Sequence, residues 1–173
     1  MQQHKGQRGF SLIELLIVVT IIGIIASIAI PNLLASRRAA NEGSAIASLR
    51  VLHSSNAGYQ VTTGGGEYAP DLDAMRTANL IDAVIGTTPY QKSGYVFAIG
   101  RTTTTATALP TFWLTANPIQ SSGAMQSGTR RFGTTQVGVV YYDATQGAAT
   151  LGAALTYAQM SGLGAGSIKV LGN

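Results

Sequence analysis

The 173-residue chain has no cysteine and only two histidines, His4 and His53. The missing cysteine excludes disulfides and thiolate metal sites, although it leaves the redox compartment undecided. Two histidines on separate segments cannot build a metal–histidine cluster, and they give little support to a serine–histidine–aspartate triad. We therefore expect no enzyme activity, no catalytic residue and no cofactor, with His53 a solvated or interface side chain.

Charge is also scarce, at 10% of residues, and the formal net charge is +4. No dense basic block is present, so the composition does not favour binding to nucleic acid. Lys92 and Arg130–Arg131 could contact DNA or anionic surfaces, but a solvated or inter-subunit role is favoured. The 21 glycines and the low charge are typical of an extracytoplasmic domain.

A membrane-length apolar run extends from Phe10 to Ile30, and Glu14 is its only charged residue. Fourteen of these 21 positions are Leu, Ile, Val or Phe. Each such side chain favours insertion by about 0.3–0.6 kcal/mol, whereas one central acid opposes it by about 2.5–3.5 kcal/mol. A helix of this length reaches about 31 Å, and no small-x-small cleavage site precedes Pro31. The pattern predicts a retained single membrane span.

The ordered run Gly9-Phe10-Ser11-Leu12-Ile13-Glu14-Leu15-Leu16-Ile17-Val18-Val19 resembles the leader junction of type IV pilins and type II secretion pseudopilins. The resemblance implies cleavage after Gly9 by a prepilin peptidase, which also methylates the new N-terminal residue, Phe10. It implies a cytoplasmic leader over residues 1–9 and a C-terminal domain outside. It also implies assembly by an inner-membrane platform protein and an ATPase.

The same resemblance predicts an α+β pilin fold, with a long N-terminal helix and an antiparallel β-sheet head. The helix is expected over residues 10–60, spanning the membrane over about 10–30, and the head over 61–173. Gly23 and Pro31 fall where family members commonly carry glycine and proline. Proline removes a helical hydrogen bond, so we expect the helix to kink or melt near these positions.

Glu14 requires a partner, because an isolated carboxylate in an apolar core is strongly disfavoured. After cleavage the amine of Phe10 lies one helical turn away, within the same chain or on a neighbouring one. The resemblance favours pairing with Phe10 of an adjacent subunit, which would set the register of assembly. The alternative is that Glu14 only reaches to the cytoplasmic interface.

The remaining pattern predicts short elements around a sheet. A helix is expected at about 71–79, because Pro70 and Asp71 suit a helix start. Strands are expected at 94–99, 112–116 and 137–142, with 151–157 and 167–171 as a further strand or packed extension. Arg38 and Glu42 are expected to pair on an exposed face of the long helix.

Carboxylates are too few for a hard-cation site near the C-terminus, where only Asp143 follows Asp82. Glu67, Asp71 and Asp73 could bind a cation, but capping and turn formation are the favoured roles. Because major secretion pseudopilins usually end in an acidic calcium loop, the resemblance favours a pilus subunit over such a pseudopilin.

Together these features predict a structural subunit of a type IV pilus-like filament, a homopolymer that can include minor pilins. The prepilin would lie in the bacterial inner membrane, in contact with lipid, before joining an extracellular filament. The alternative is a pseudopilin of a type II secretion system, in a periplasmic fibre. A membrane-anchored enzyme or receptor domain is a third class, and it requires unprocessed, monomeric protein.

Overall fold

A computed structural model describes residues 9–143, 157–160 and 168–172. Its elements are α1 (Leu12–Thr62), α2 (Leu72–Thr77), α3 (Ala83–Gly86), β1 (Gln91–Lys92), β2 (Tyr95–Thr102), β3 (Thr111–Pro118), β4 (Arg131–Thr135), β5 (Val140–Asp143), α4 (Tyr157–Met160) and β6 (Ile168–Val170). The predicted α+β fold, with a long apolar N-terminal helix and an antiparallel sheet, is therefore confirmed. The chain divides into two compact units, one up to Ser36 and one from Arg37 onwards.

The second unit is built around one face of α1. Residues at helical spacing on this face, Ala45, Leu49, Leu52 and Asn56, are fully buried or nearly so. The apolar members of this face share one core with buried sheet residues, which are Tyr95, Phe97, Phe112, Leu114, Ala116 and Phe132. Large apolar side chains from a helix and a sheet thus form the core of this unit.

The sheet is an antiparallel meander in the order β1 to β6 within the described residues. The longest pairing joins β2 and β3, from Tyr95 opposite Pro118 to Thr102 opposite Thr111. β1 has only two residues and pairs at Val96 and Tyr95. The chain order therefore equals the spatial order of the strands.

The short helices begin at aspartates, as expected from capping chemistry. Asp71 precedes α2 and accepts a hydrogen bond from the backbone N–H of Ala74 at 2.7 Å. Asp82 precedes α3 and accepts from Ile85 N–H at 3.1 Å. The predicted helix at 71–79 and the predicted capping role of Asp71 are both confirmed, whereas the sequence did not indicate α3.

The strand predictions are partly correct. Predicted strands at 94–99, 112–116 and 137–142 overlap β2, β3 and β5, and the predicted 167–171 segment contains β6. β4 was missed, because residues 131–135 combine glycine and threonine without an apolar alternation. Of the predicted 151–157 segment, only Tyr157 is described and it opens α4, so the rest lies outside the described residues.

Candidate functional site

The predicted cleavage junction lies just before the first helix. Gly9, Phe10 and Ser11 are not helical, and α1 begins at Leu12. The Phe10 side chain is 88% exposed. The peptide bond between Gly9 and Phe10 therefore lies in an accessible, non-helical segment, as a protease substrate requires. Residues 1–8 of the predicted leader lie outside the described residues.

Glu14 caps the N-terminus of α1. Its carboxylate accepts a hydrogen bond from the Ser11 backbone N–H at 2.9 Å. Serine at the N-cap with glutamate three residues later is the sequence signature of a capping box, and this is the glutamate half of that motif. The sequence contained this signal, but the prediction for Glu14 rested on its charge alone. The pairing of the Glu14 charge with Phe10 of another subunit therefore stays a prediction.

The first unit exposes its apolar side chains. Every Leu, Ile and Val from Leu12 to Ile30 is between 51% and 83% exposed. Within the described residues, α1 contains the one segment that is long and apolar enough to cross a membrane. No part of the described chain covers this surface, so lipid or other protein must cover it.

Gly23 and Pro31 both lie inside the continuous helix α1. A side chain at Gly23 would meet no atom within 4 Å. Nothing within the described chain therefore requires glycine there. Pro31 lacks the N–H that would bond to the carbonyl of Ser27, which leaves a weak point in the ladder. Kinking or melting at these positions stays a prediction for the assembled state.

A buried carboxylate, Glu42, ties α1 to the loop before β4. It accepts hydrogen bonds from the N–H and hydroxyl of Thr129 at 2.7 and 2.6 Å, and from Arg130 Nε at 3.0 Å. The predicted exposed pair of Arg38 and Glu42 is therefore wrong, because Arg38 instead donates to Gln126 at 2.9 Å. The signal was available, since Glu42 lies three and seven residues before Ala45 and Leu49 on the buried face.

Tyr95 completes this arrangement by donating its hydroxyl to the Arg130 carbonyl at 2.9 Å. Burial, followed by the nearby charge of Glu42, raises the pKa of the Tyr95 hydroxyl. The hydroxyl therefore stays protonated and remains a donor at physiological pH. These contacts fix the segment before β4 against the helix.

Other predicted surface residues are packed inside the second unit. Arg131 is buried and forms an ion pair with Asp143, across the β4–β5 pairing. His53 is half-buried, with its ring 5.4 Å from that of Phe112 and its Nε2 3.3 Å from the Gln136 carbonyl oxygen. The prediction of a solvated or inter-subunit role is therefore wrong for Arg131, and His53 packs within its own chain.

The acidic residues near the end of α1 serve local structure. Glu67 accepts from the Thr104 N–H at 2.9 Å, and Asp73 accepts from the Tyr90 hydroxyl at 2.7 Å. Hydrogen bonds from Thr104, and the charge of Arg101, hold the pKa of Glu67 below its ordinary value. In the described part of the chain no group of three or more metal-ligating side chains occurs.

Comparison with known proteins agrees with this geometry. Residues 4–30 match the family described as the prokaryotic N-terminal methylation motif. The chain is 58% identical over 38 residues to the type IV wide pilus major component PilA4 of Thermus thermophilus, covering 22% of this chain and 29% of that protein. It is 31% identical over 106 residues to the type II secretion system core protein G of Escherichia coli, covering 56% of this chain and 66% of that protein.

A similar protein G from Dickeya chrysanthemi is 35% identical over 51 residues, covering 30% of this chain and 33% of that protein. The matches thus span less than two thirds of the length of these relatives. No solved structure is significantly similar to the chain. The chain thus carries the prokaryotic N-terminal methylation motif, and the proteins that it resembles are a type IV pilus component and core proteins of type II secretion systems.

Proposed function

We propose that this chain is a structural subunit of a type IV pilus-like filament. The observation that carries the proposal is the exposed apolar surface of α1, with one carboxylate, directly after an accessible Gly9–Phe10 junction. Lipid can cover this surface while the chain lies in the membrane. Once a fibre leaves the membrane, only the helices of other subunits can cover it.

The proposed sites follow from this arrangement. The peptidase cleaves after Gly9 and methylates Phe10, which leaves a charged amine at the start of the helix. In the filament Glu14 pairs with that amine on an adjacent subunit, because a buried carboxylate is stable only when it is paired. Gly23 and Pro31 mark the stretch that melts as the fibre extends. The leader stays cytoplasmic, and a platform protein and an ATPase drive assembly.

Mass spectrometry of material from sheared fibres tests the proposal directly. The expected subunit begins at residue 10 and carries a methyl group on its N-terminal amine. Fibres, or functional protein, that retain an intact Met1 would contradict the proposal. Permanently monomeric protein after leader removal would contradict it as well.

The second candidate is a type II secretion pseudopilin. Its support is the match to the Escherichia coli protein, which covers 56% of this chain and so extends well beyond the methylation motif. The scarcity of carboxylates after Asp82 favours the pilus subunit. Deleting the gene decides between them, because loss of surface fibres with normal exoprotein release indicates a pilin, and the reverse result a pseudopilin.

A further inference from the structure

A groove of about 160 Å³ lies on the second unit, along one face of α1. Buried Leu52 and Ile85 contribute to an apolar surface, with Ile81 beside them. Ser44, Ala47, Ser48, Val51, Asp82 and Lys92 complete the lining. The size is suited to a small side chain or a sharp chain corner, since an apolar cavity of about 150 Å³ accommodates benzene.

Two polar groups that line this groove, on Ser48 and Lys92, make no side-chain hydrogen bond or ion pair among the described residues. Ser48 is only 4% exposed, and its hydroxyl has no hydrogen-bond partner among the described residues. The half-buried Lys92 likewise has no ion pair there, although Asp82 also lines the groove. Asp82 uses its carboxylate to cap α3. A hydroxyl and an ammonium beside an apolar surface together suit an acidic ligand with a small apolar neighbour.

The chain itself carries such a feature. Among the described carboxylates of the second unit, Asp71 and Asp82 belong to exposed residues, whereas Asp73, with a side chain 42% exposed, already accepts from Tyr90 and Arg76. Asp82 belongs to the groove, which leaves Asp71, with the exposed Pro70 directly before it. One oxygen of Asp71 caps α2, and within the described residues its other oxygen has no partner. Pro70 and Asp71 thus present an apolar ring and a free carboxylate oxygen at one corner.

We propose that this groove binds the Pro70–Asp71 corner of a second copy of the chain, with Asp71 facing Lys92. Because groove and corner are different surfaces, the contact is heterologous, and such a contact can extend without closing, as a helical filament requires. The inference rests on the proposed filament function, and it adds a contact between the heads to the contact between the apolar helices.

Crosslinking in fibres tests the contact, and the absence of native cysteine makes the labelling specific. Ala47→Cys, in the groove, is combined with Pro70→Cys, which leaves Asp71 and its cap intact. A short bis-maleimide should then link subunits into a ladder on a denaturing gel. The matched control replaces Ala39, an exposed alanine on another face of α1 about 12 Å away, and should give no ladder.

Charge exchange provides a second, independent test. Lys92→Glu and Asp71→Lys should each lower the yield of sheared fibres about fivefold, since each turns an attraction into a repulsion. The double variant should yield more fibres than Asp71→Lys alone, as coupled residues do in a double-mutant cycle, although it does not restore the α2 cap that Asp71 provides. Arg50→Glu makes the same change of charge as Lys92→Glu. Its side chain lies about 200° around α1 from Ser48, and it should leave the yield unchanged.

The outcomes separate the two proposals. Three results would each overturn the docking inference. They are a ladder from the Ala39 pair as strong as that from the Ala47 pair, no ladder from the Ala47 pair in abundant fibres, and additive losses of fibre yield in the double charge variant. Such results would leave the filament function standing. If the unaltered chain forms no fibres in its own host, the proposed function fails instead.

Discussion

Replacing Glu14 by glutamine or by alanine separates its two roles, as a helix cap and as a charge. Glutamine keeps an oxygen that can accept from the Ser11 N–H, now 2.9 Å from the carboxylate, whereas alanine loses this contact. The cap contributes about 0.5–1 kcal/mol to the first turn. Both substitutions remove the charge, which should ease membrane insertion by less than the cost of a charge at the helix centre, about 2.5–3.5 kcal/mol, because Glu14 lies near one end of the span.

Assembly should respond in the opposite direction. If Glu14 pairs with the amine of Phe10 on a neighbour, either substitution leaves that amine buried and unpaired, at a cost of about 3–5 kcal/mol. A penalty of 3 kcal/mol per contact corresponds to a loss of more than a hundredfold in the equilibrium constant for adding a subunit. We therefore expect Glu14→Gln and Glu14→Ala to accumulate in the membrane and to form almost no fibres.

The assay compares the amount of subunit in the sheared-fibre fraction with the amount in the membrane fraction, for both variants and the unaltered chain. Mass spectrometry of the membrane form confirms that each variant has lost its leader. Normal fibre yield from Glu14→Gln with a defect in Glu14→Ala would show that the cap alone matters. That result would refute the pairing argument, because glutamine keeps the cap and removes only the charge.

Three further predictions concern the second unit and are measured by thermal or chemical unfolding of the detergent-solubilised chain. Glu42→Ala should lower the free energy of unfolding by about 3 kcal/mol, since it removes the three hydrogen bonds that Glu42 accepts; a change under about 0.5 kcal/mol would contradict the proposed contact between α1 and the loop before β4. Gly128→Ala should cost about 2 kcal/mol, because the new Cβ would lie 2.0 Å from the Tyr95 hydroxyl oxygen. Gly43→Ala, with nothing within 4 Å, should instead stabilise α1 by about 1 kcal/mol, and equal effects at the two glycines would refute the steric argument. The lowered pKa of Glu67 adds stability that is present above its unfolded pKa and is lost as the pH falls through its lower folded value. Glu67→Gln should therefore flatten the stability profile below about pH 4, and an unchanged profile would contradict that contribution.

The sequence predicts the N-terminal region well because its signal is local. A long run of apolar side chains needs no tertiary information to form a helix, and the Gly9–Phe10 junction is read directly from residue order. The N-terminal helix and the sheet in the second unit are both observed. β2 and β3 were recognisable because their β-branched and aromatic residues are concentrated in short runs.

Non-local pairing explains what the sequence did not reveal. β4 has the sequence Arg-Phe-Gly-Thr-Thr, and it is a strand because β3 and β5 flank it on both sides. Arg131 is buried because Asp143 lies opposite it in that pairing. Glu42 finds its donors 87 and 88 residues later, on a loop whose position no local pattern specifies. Spacing along the chain shows only that these side chains are polar.

The two units therefore differ in whether their charges and apolar side chains find partners within the same chain. In the second unit, most buried charges find partners within the same chain, as Glu42 and Arg131 do. In the first unit, the apolar side chains are exposed, and among the described residues Glu14 accepts only from the backbone N–H of Ser11. Such an apolar helix surface is stable in water only when other apolar groups cover it. In the filament proposed above, copies of the helix cover one another, and contacts of the second unit, such as the proposed one at Lys92, align neighbouring heads.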